Sequence, residues 1–294
     1  MAENPRRLLE RYGLHPRRSL GQNFLIAPHA PEKIASGAGI GPEDTVLEIG
    51  AGVGTLTVAL AARAGRVLAV ETDGQLLDVL RDLFDATSNV ELVHGDILTL
   101  DPAALLRVPA PPSPALWGAR LDHYLVVANL PYYITAAVLR HLLEASVRPA
   151  RLIVTVQREV AERMVAAPGD LSLLGVSIQF YGKPQILFHL KRGAFYPAPA
   201  VDSAVVRMDL HATPPVPDCD VALFFRVVSA GFAQRRKQLH NSLAATLALP
   251  SSEVSAALLS AEIDPTIRAE QLSIESWGRV TRALLPLLPP QASV

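Results

Sequence analysis

The feature that most narrows the fold is a strand running straight into a glycine turn. Thr45-Val-Leu-Glu-Ile49 is followed by Gly50-Ala-Gly-Val-Gly54 and then by an apolar helical run through Ala62. Glycines at alternate positions let the chain turn sharply out of a buried strand and into a helix, which is the junction of a βα unit. The pattern repeats. Arg66-Val-Leu-Ala-Val70 ends at Glu71 and leads to a helix over Gly74 to Phe84, and Val90-Glu-Leu-Val93 ends before Gly95-Asp96. Leu121 to Ala128 is a fourth strand terminating in Asn129-Leu-Pro-Tyr132, and Leu152-Ile-Val-Thr-Val156 is a fifth. This alternation from about residue 45 to 210 predicts an α/β fold with a largely parallel sheet.

Two late strand-like runs, about Ile186 to Leu190 and Ser203 to Leu210, bracket Phe195-Tyr-Pro-Ala-Pro199 and predict an added antiparallel hairpin. Pro109-Ala-Pro-Pro-Ser-Pro114 is too proline-dense for a helix or a central strand and reads as a surface loop. His211 to Asp220 contains Pro214, Pro215 and Pro217 and reads as a linker. Beyond it, Phe224 to Leu249, Ser252 to Ala261 and Ile274 to Leu285 carry apolar residues at helical spacing. At roughly 100 to 200 residues per domain, 294 residues divide into an α/β domain over 1–210 and a small all-helical domain over 211–294.

Composition removes several function classes. Half the chain is hydrophobic and the formal charge is -1, which describes a globular protein rather than a charged disordered one. Apolar runs such as Leu56 to Ala62 stop far short of the ~20 residues that cross a bilayer, so no membrane association is expected. The N-terminus lacks an apolar signal core and carries Glu3 and Glu10, which predicts a cytoplasmic protein. With Cys219 as the single cysteine, an internal disulfide and a CxxC zinc site are excluded, and no metal is expected. HExxH, GxSxG and GxxxxGK[ST] strings are absent. Only four of the 27 basic residues are lysines, and the charges bunch as Arg6-Arg7, Arg17-Arg18, Lys191-Arg192 and Arg235-Arg236-Lys237. Arginine's planar fork suits phosphate contacts and base stacking, and any single pair equally suits a solvated face.

The strand ends carry the chemistry. Gly50, Gly52 and Gly54 place bare amides beside an adenine-nucleoside-type ligand, and GxGxG rather than GxGxxG favours an adenosyl cofactor without a pyrophosphate. Glu71 follows Gly50 at close to the ~20-residue offset at which an acidic side chain takes ribose hydroxyls. Asp96 ends the third strand in the same way, placed for an adenine amino group. Gln22, Asn23 and the Leu25 backbone, in Ser19-Leu-Gly-Gln-Asn-Phe-Leu25, offer polar contacts to the methionine and ribose part of the cofactor. Alone, a glycine turn equally packs a helix on a sheet, and a strand-end carboxylate is equally solvated. Their order on successive strands is what favours a ligand site.

Asn129-Leu130-Pro131-Tyr132 is the most specific string, and it resembles the [D/N]PP[Y/F] motif of methyltransferases that act on exocyclic amines. An adenine amino nitrogen is a poor nucleophile because its lone pair is delocalised into the ring. The Asn129 side-chain oxygen and the Leu130 carbonyl can each accept one amino hydrogen, which draws the nitrogen toward tetrahedral geometry. Pro131 fixes that backbone, and Tyr132 offers a face for an extruded base. Phe195, or Tyr196 beside it, is expected to stack on the base from the opposite side.

Together these residues resemble the KsgA (RsmA) family of small-subunit rRNA adenine dimethyltransferases, related to the Erm enzymes. SLGQNFL, LEIGAGVGTLT, VETD, GDI, NLPY, FYPAPAVDSAVV and FAQRRKQLHNSL occur in the family's order over nearly the whole chain. The resemblance implies a Rossmann-like methyltransferase sheet with S-adenosylmethionine as cofactor. It implies four methyl transfers that give two N6,N6-dimethyladenosines at neighbouring adenines in the 3′-terminal hairpin of 16S rRNA. The implied partner is the assembling 30S subunit, and a monomer is expected. By matching positions, cofactor contacts fall on Asn23, Leu25, Gly50, Glu71, Asp96 and Asn129, with Gln22 and Gly52 beside them. Asn129, Leu130, Pro131, Tyr132 and Phe195 take the target base, and Arg235, Arg236 and Lys237 begin a helix whose face follows rRNA phosphates.

The chain departs from the family pattern in three places. Ile26-Ala27-Pro28 replaces an acidic residue after QNFL, Tyr133 stands where Asn commonly follows NLPY, and Val108 to Gly118 reads as an insertion. The competing readings are an Erm-type 23S rRNA methyltransferase and a non-catalytic RNA-binding assembly factor. The intact glycine turn and Asn129-to-Tyr132 string favour an enzyme over the latter.

Overall fold

The computed structural model describes residues 3–108, 119–217 and 219–288, so the proline-rich run 109–114 and most of the expected insertion lie outside the described residues. Among the described residues there are nine strands: β1 Phe24–Leu25, β2 Thr45–Ile49, β3 Arg66–Glu71, β4 Val90–His94, β5 Ala119–Asn129, β6 Val147–Gln157, β7 Gly182–Leu190, β8 Phe195–Tyr196 and β9 Ser203–Leu210. Seven form one sheet in the order β4-β3-β2-β5-β6-β9-β7. The β4-β3, β3-β2, β2-β5 and β5-β6 pairs are parallel, and β9 runs antiparallel to β6. This is the Rossmann-like methyltransferase sheet, with β9 and β7 as the added edge.

Central position explains the strand sequences. Val46, Leu47, Glu48 and Ile49 of β2 are all buried, because helices cover both faces of a parallel sheet and leave no solvated side for polar alternation. Val46, Val67, Leu125, Val127 and Ile153 from adjacent strands close one core with Leu60 of α3 (Thr55–Ala61). Helix α4 (Gly74–Phe84) is capped by the Asp73 side chain, which accepts from the Gln75 amide, and buries Leu76, Leu77, Val79, Leu80 and Phe84. β5 and β6 are longer than their apolar cores predict, since Ala119–Leu121 pairs with Val147–Pro149 across a register shift before Leu125.

Four helices of this part were not among the elements expected from sequence: α1 (Pro5–Arg11), α2 (Ala30–Ala38), α5 (Pro102–Leu106) and α6 (Thr135–Leu143). Helix α1 is capped by Asn4 and sets Leu8 and Leu9 against Phe24, Val53, Leu76 and Val79. A separate two-stranded sheet pairs β1 with β8, Phe24 opposite Tyr196 and Leu25 opposite Phe195. It joins the segments expected to flank the main sheet.

The chain divides into two compact units, 1–161 with 184–212, and 162–183 with 213–294. The second unit therefore takes in an excursion that the 1–210 boundary placed in the first, carrying the end of α7 (Arg158–Met164) and all of α8 (Leu173–Tyr181). Its other helices are α9 (Val221–Phe232), α10 (Leu239–Leu247), α11 (Ser251–Ser260) and α12 (Ile274–Leu284). Phe180 of α8 stacks on Phe224 at 4.4 Å between ring centroids, and the fully buried Trp277 fits where Gly231 leaves room for its ring.

The helix expected over Phe224 to Leu249 is broken. α9 stops at Phe232, and 233–238 form an exposed turn in which the Lys237 amide donates to the Gln234 carbonyl at 2.9 Å. Gln234 to Gln238 carry no apolar side chain to bury, so no helical face holds this stretch. Arg235, Arg236 and Lys237 accordingly lie in the turn and do not begin a helix.

Candidate active site

Strand order reverses between β2 and β5, and in open α/β sheets a crevice forms where the carboxyl ends of the strands diverge at that point. A cavity of about 460 Å³ opens there, within the range of small-molecule sites. Gln22, Asn23, Leu25, Gly50, Gly52, Glu71, Asp96, Asn129, Leu130, Pro131 and Tyr132 all line it. Residues scattered over more than 100 positions are thus gathered by four strand ends and by the β1 segment.

The turn after β2 holds the cavity floor. Gly50, Gly52 and Gly54 have φ of +74°, +59° and +79°, a region that side chains rarely adopt. The Gly50 amide donates to the Val70 carbonyl at 2.9 Å, and the Gly52 amide donates to Glu71 Oε2 at 2.8 Å. Glu71 Oε1 accepts the Thr72 and Asp73 amides, both at 2.9 Å. Three backbone donors thus fix a buried carboxylate at the end of β3. Burial raises its pKa above the ordinary range, and those amides oppose the rise. Oε2 takes only one of the three donors and keeps an acceptor site, which suits a ribose hydroxyl. Asp96 accepts the Leu98 amide with Oδ1 at 3.0 Å and sits at the exposed rim.

Asn129 closes the other side. Its Nδ2 donates to the Asn23 carbonyl at 3.1 Å. A carbonyl can only accept, so the amide nitrogen is committed to Asn23 and Oδ1 is the end left as an acceptor. Tyr132 is half-buried, and its hydroxyl meets Ser203 Oγ at 2.6 Å. Burial pushes that phenol above its ordinary pKa, with the Ser203 bond acting the other way. The ring is tethered at its far end and keeps its proton.

Two expected residues take other places. Phe195 is 2% exposed, packed in the main core with its strand pinned to Leu25, and it does not line the cavity. Tyr196 packs beside the α1 cluster with the Arg6 guanidinium 4.5 Å from its ring centre, and it does not line the cavity either. Neither ring therefore lines the cavity opposite Tyr132, and the β1–β8 pairing sets both in packed surroundings. The Gln22 amide is consumed by its own network: Oε1 accepts the Arg17 amide at 2.7 Å and Nε2 donates to Asp73 at 2.9 Å. Asp73 also meets Arg17 Nη1 at 3.2 Å. Gln22 therefore braces the loop that bears Asn23. Asp73 and Ser203 were not singled out as site residues in sequence, and Tyr133 stood out there only as a departure from the family pattern. The Glu71-Thr-Asp73 string was the one signal that pointed to Asp73.

The donor set fits an adenosyl sulfonium cofactor. Glycine backbone replaces side chains along the turn that lines the cavity, an added Cβ at Gly52 would stand 3.3 Å from the Phe24 ring, and the carboxylates of Glu71 and Asp96 line the same cavity.

The family model described as ribosomal RNA adenine dimethylase matches residues 13–284. The chain is 43% identical over 273 residues to the ribosomal RNA small subunit methyltransferase A of Dehalococcoides mccartyi, covering 93% of this chain and 90% of the relative. The crystal structure of the 23S rRNA methyltransferase ErmE superposes with a TM-score of 0.69 at 29% identity, over 89% of this chain and 99% of that one. A dimethyladenosine transferase from Plasmodium falciparum superposes with a TM-score of 0.72 at 23% identity, over 88% and 96% of the two chains. That last likeness bears on the fold alone.

Proposed function

Since this chain belongs to the ribosomal RNA adenine dimethylase family, we infer that it transfers methyl groups from S-adenosylmethionine to the N6 amines of two adjacent adenines in the 3′-terminal hairpin of 16S rRNA. It is an S-adenosylmethionine-dependent rRNA adenine dimethyltransferase. The likeness to relatives named for the small subunit, over more than nine-tenths of this chain, supports that subunit over the large one. The finer reading is that the enzyme meets its adenines as a monomer in the cytoplasm, on the assembling 30S subunit. It calls for no metal, because attack on a sulfonium methyl needs no Lewis acid.

One observation carries the chemistry: Asn129 lines the cavity with its Nδ2 spent on the Asn23 carbonyl, which leaves Oδ1 as the acceptor end of its amide. We assign Asn129 Oδ1 and the Leu130 carbonyl to the two hydrogens of the target amine. Accepting both pulls the nitrogen toward tetrahedral geometry and frees its lone pair for in-line attack. Bound S-adenosylmethionine supplies an electrophilic methyl group. Glu71 takes the ribose hydroxyls, Asp96 takes the adenine amino group of the cofactor, and the Gly50–Gly54 backbone receives its chain. Tyr132 stacks on the extruded adenine from its tethered position. The Tyr132 phenol, held protonated by burial, is no base, and the amine proton leaves to solvent after transfer. Positioning rather than proton abstraction provides the rate.

The test is Asn129→Ala assayed with labelled cofactor on undermethylated small subunits. Turnover is expected to fall about 10²- to 10³-fold, the scale of one lost polar contact to a reacting group, with cofactor affinity lowered only a few-fold. Turnover within tenfold of the wild type would remove this mechanism.

A further inference from the structure

Tyr133 is the exposed aromatic at the cavity that the reaction leaves without a role. It is 67% exposed, more than any other large hydrophobic side chain among the described residues, yet it belongs to the cavity lining. Its ring has a built seat. Gly21, at φ +60°, stands where an added Cβ would come within 2.9 Å of the Tyr133 ring and 3.1 Å of Pro131. The absence of a side chain at Gly21 admits one edge of the ring and leaves the rest open at the mouth. Tyr132 and Tyr133 share a 3-10 turn, so the two rings point in different directions from adjacent positions. Tyr132 is half-buried and tied to Ser203, while Phe195 is in the core. Tyr133 is therefore the ring beside the target-base position that still offers a face to solvent.

We propose that Tyr133 forms a second base-stacking subsite at the cavity mouth, which takes the nucleobase flanking the extruded adenine. This rests on the reading of the chain as an RNA adenine methyltransferase. An adenine flipped into the site loses its stacking on its neighbour and leaves that neighbour's face bare. A flat ring with one edge packed and one face free replaces the lost stack at little entropic cost. The contact needs no hydrogen bond, so it selects for a flat base and is tolerant of which base.

The test uses the full chain with undermethylated 30S subunits and labelled S-adenosylmethionine, comparing Tyr133→Ala, Tyr133→Leu and Tyr133→Phe. Because the side chain is exposed, none of these variants removes a core contact. The expected result is a KM for subunits raised about tenfold in the Ala and Leu variants, the scale of one stacked base. The Phe variant is expected within about twofold of the wild type, and cofactor affinity is expected unchanged in all three. Equal KM across the series would overturn the proposal. So would a loss confined to cofactor affinity, which would make the ring a cover over the cofactor. If the wild type itself methylates no subunit, the functional reading fails and the subsite falls with it, and that outcome shows in the wild type alone.

Discussion

Asn129 and Glu48 stand on neighbouring strands and place polar atoms in the same apolar sheet by opposite means. Asn129 spends its donor on a backbone carbonyl and keeps its acceptor for the cavity. Glu48 is 1% exposed, directly behind the glycine turn, and neither of its oxygens meets a partner of good geometry among the described residues. Burial raises its pKa to about 8; the nearby Thr57 hydroxyl offsets part of the rise and the Glu71 charge adds to it. Glu48 is thus neutral at neutral pH, so Glu71 faces the ribose position without a second charge behind it. The folded chain holds a proton at Glu48 that the unfolded chain releases near the ordinary value of 4.5. The stability this provides is fully present below pH 4.5 and is lost as pH rises toward 8. Replacing Glu48 with Gln is expected to flatten the pH dependence of unfolding over that window, by on the order of a few kcal/mol. Denaturant melts of wild type and variant at pH 5 and pH 8 check this, and parallel curves would show that Glu48 titrates normally.

At the scale of elements, the β2–turn–α3 junction tolerates little change. Gly54 caps α3 at φ +79°, and an added Cβ would stand 2.8 Å from the Phe84 ring. Gly54→Ala is expected to cost about 1–3 kcal/mol through backbone strain and displacement of Phe84, and to weaken cofactor binding in the same variant. Thermal denaturation with and without cofactor measures both, and an unshifted midpoint would mean the turn is slack. This junction was legible in sequence, as were β2 and β3, because each is a buried apolar run bounded by glycine or an acid, and the half-buried β4 was marked by its β-branched run ahead of Gly95-Asp96. What escaped has physical reasons. Helix α2 buries Ala30, Pro31, Ile34, Ala35 and Ala38 at helical spacing, but Ile34 is the single large apolar side chain among them, so the stripe is carried by small residues that read weakly as hydrophobic. Strands β1 and β8 have two residues each, below any period, and their mutual pairing is what sends Phe195 into the core. The break between α9 and α10 lay in plain view as a run of five polar residues, but the apolar rhythm on either side bridged it.

At the scale of the whole molecule, the first unit holds every residue assigned to cofactor and base, while Arg235, Arg236 and Lys237 belong to the second. All three are exposed on their turn. We propose them as phosphate contacts to the subunit rRNA. Reversing Arg235 and Arg236 to Glu is expected to weaken 30S binding at least tenfold and to make its salt dependence shallower by about one to two in slope, with cofactor affinity unchanged. Unaltered binding across a salt series would assign the turn to solvent. The activity itself is tested most directly by methyl transfer from labelled S-adenosylmethionine to undermethylated 30S subunits, with 50S subunits and bare 16S rRNA in parallel, followed by nucleoside analysis. The account predicts N6,N6-dimethyladenosine in the 16S rRNA of the 30S subunit and none in the other two. Label in 23S rRNA, or none anywhere despite cofactor binding, would contradict it.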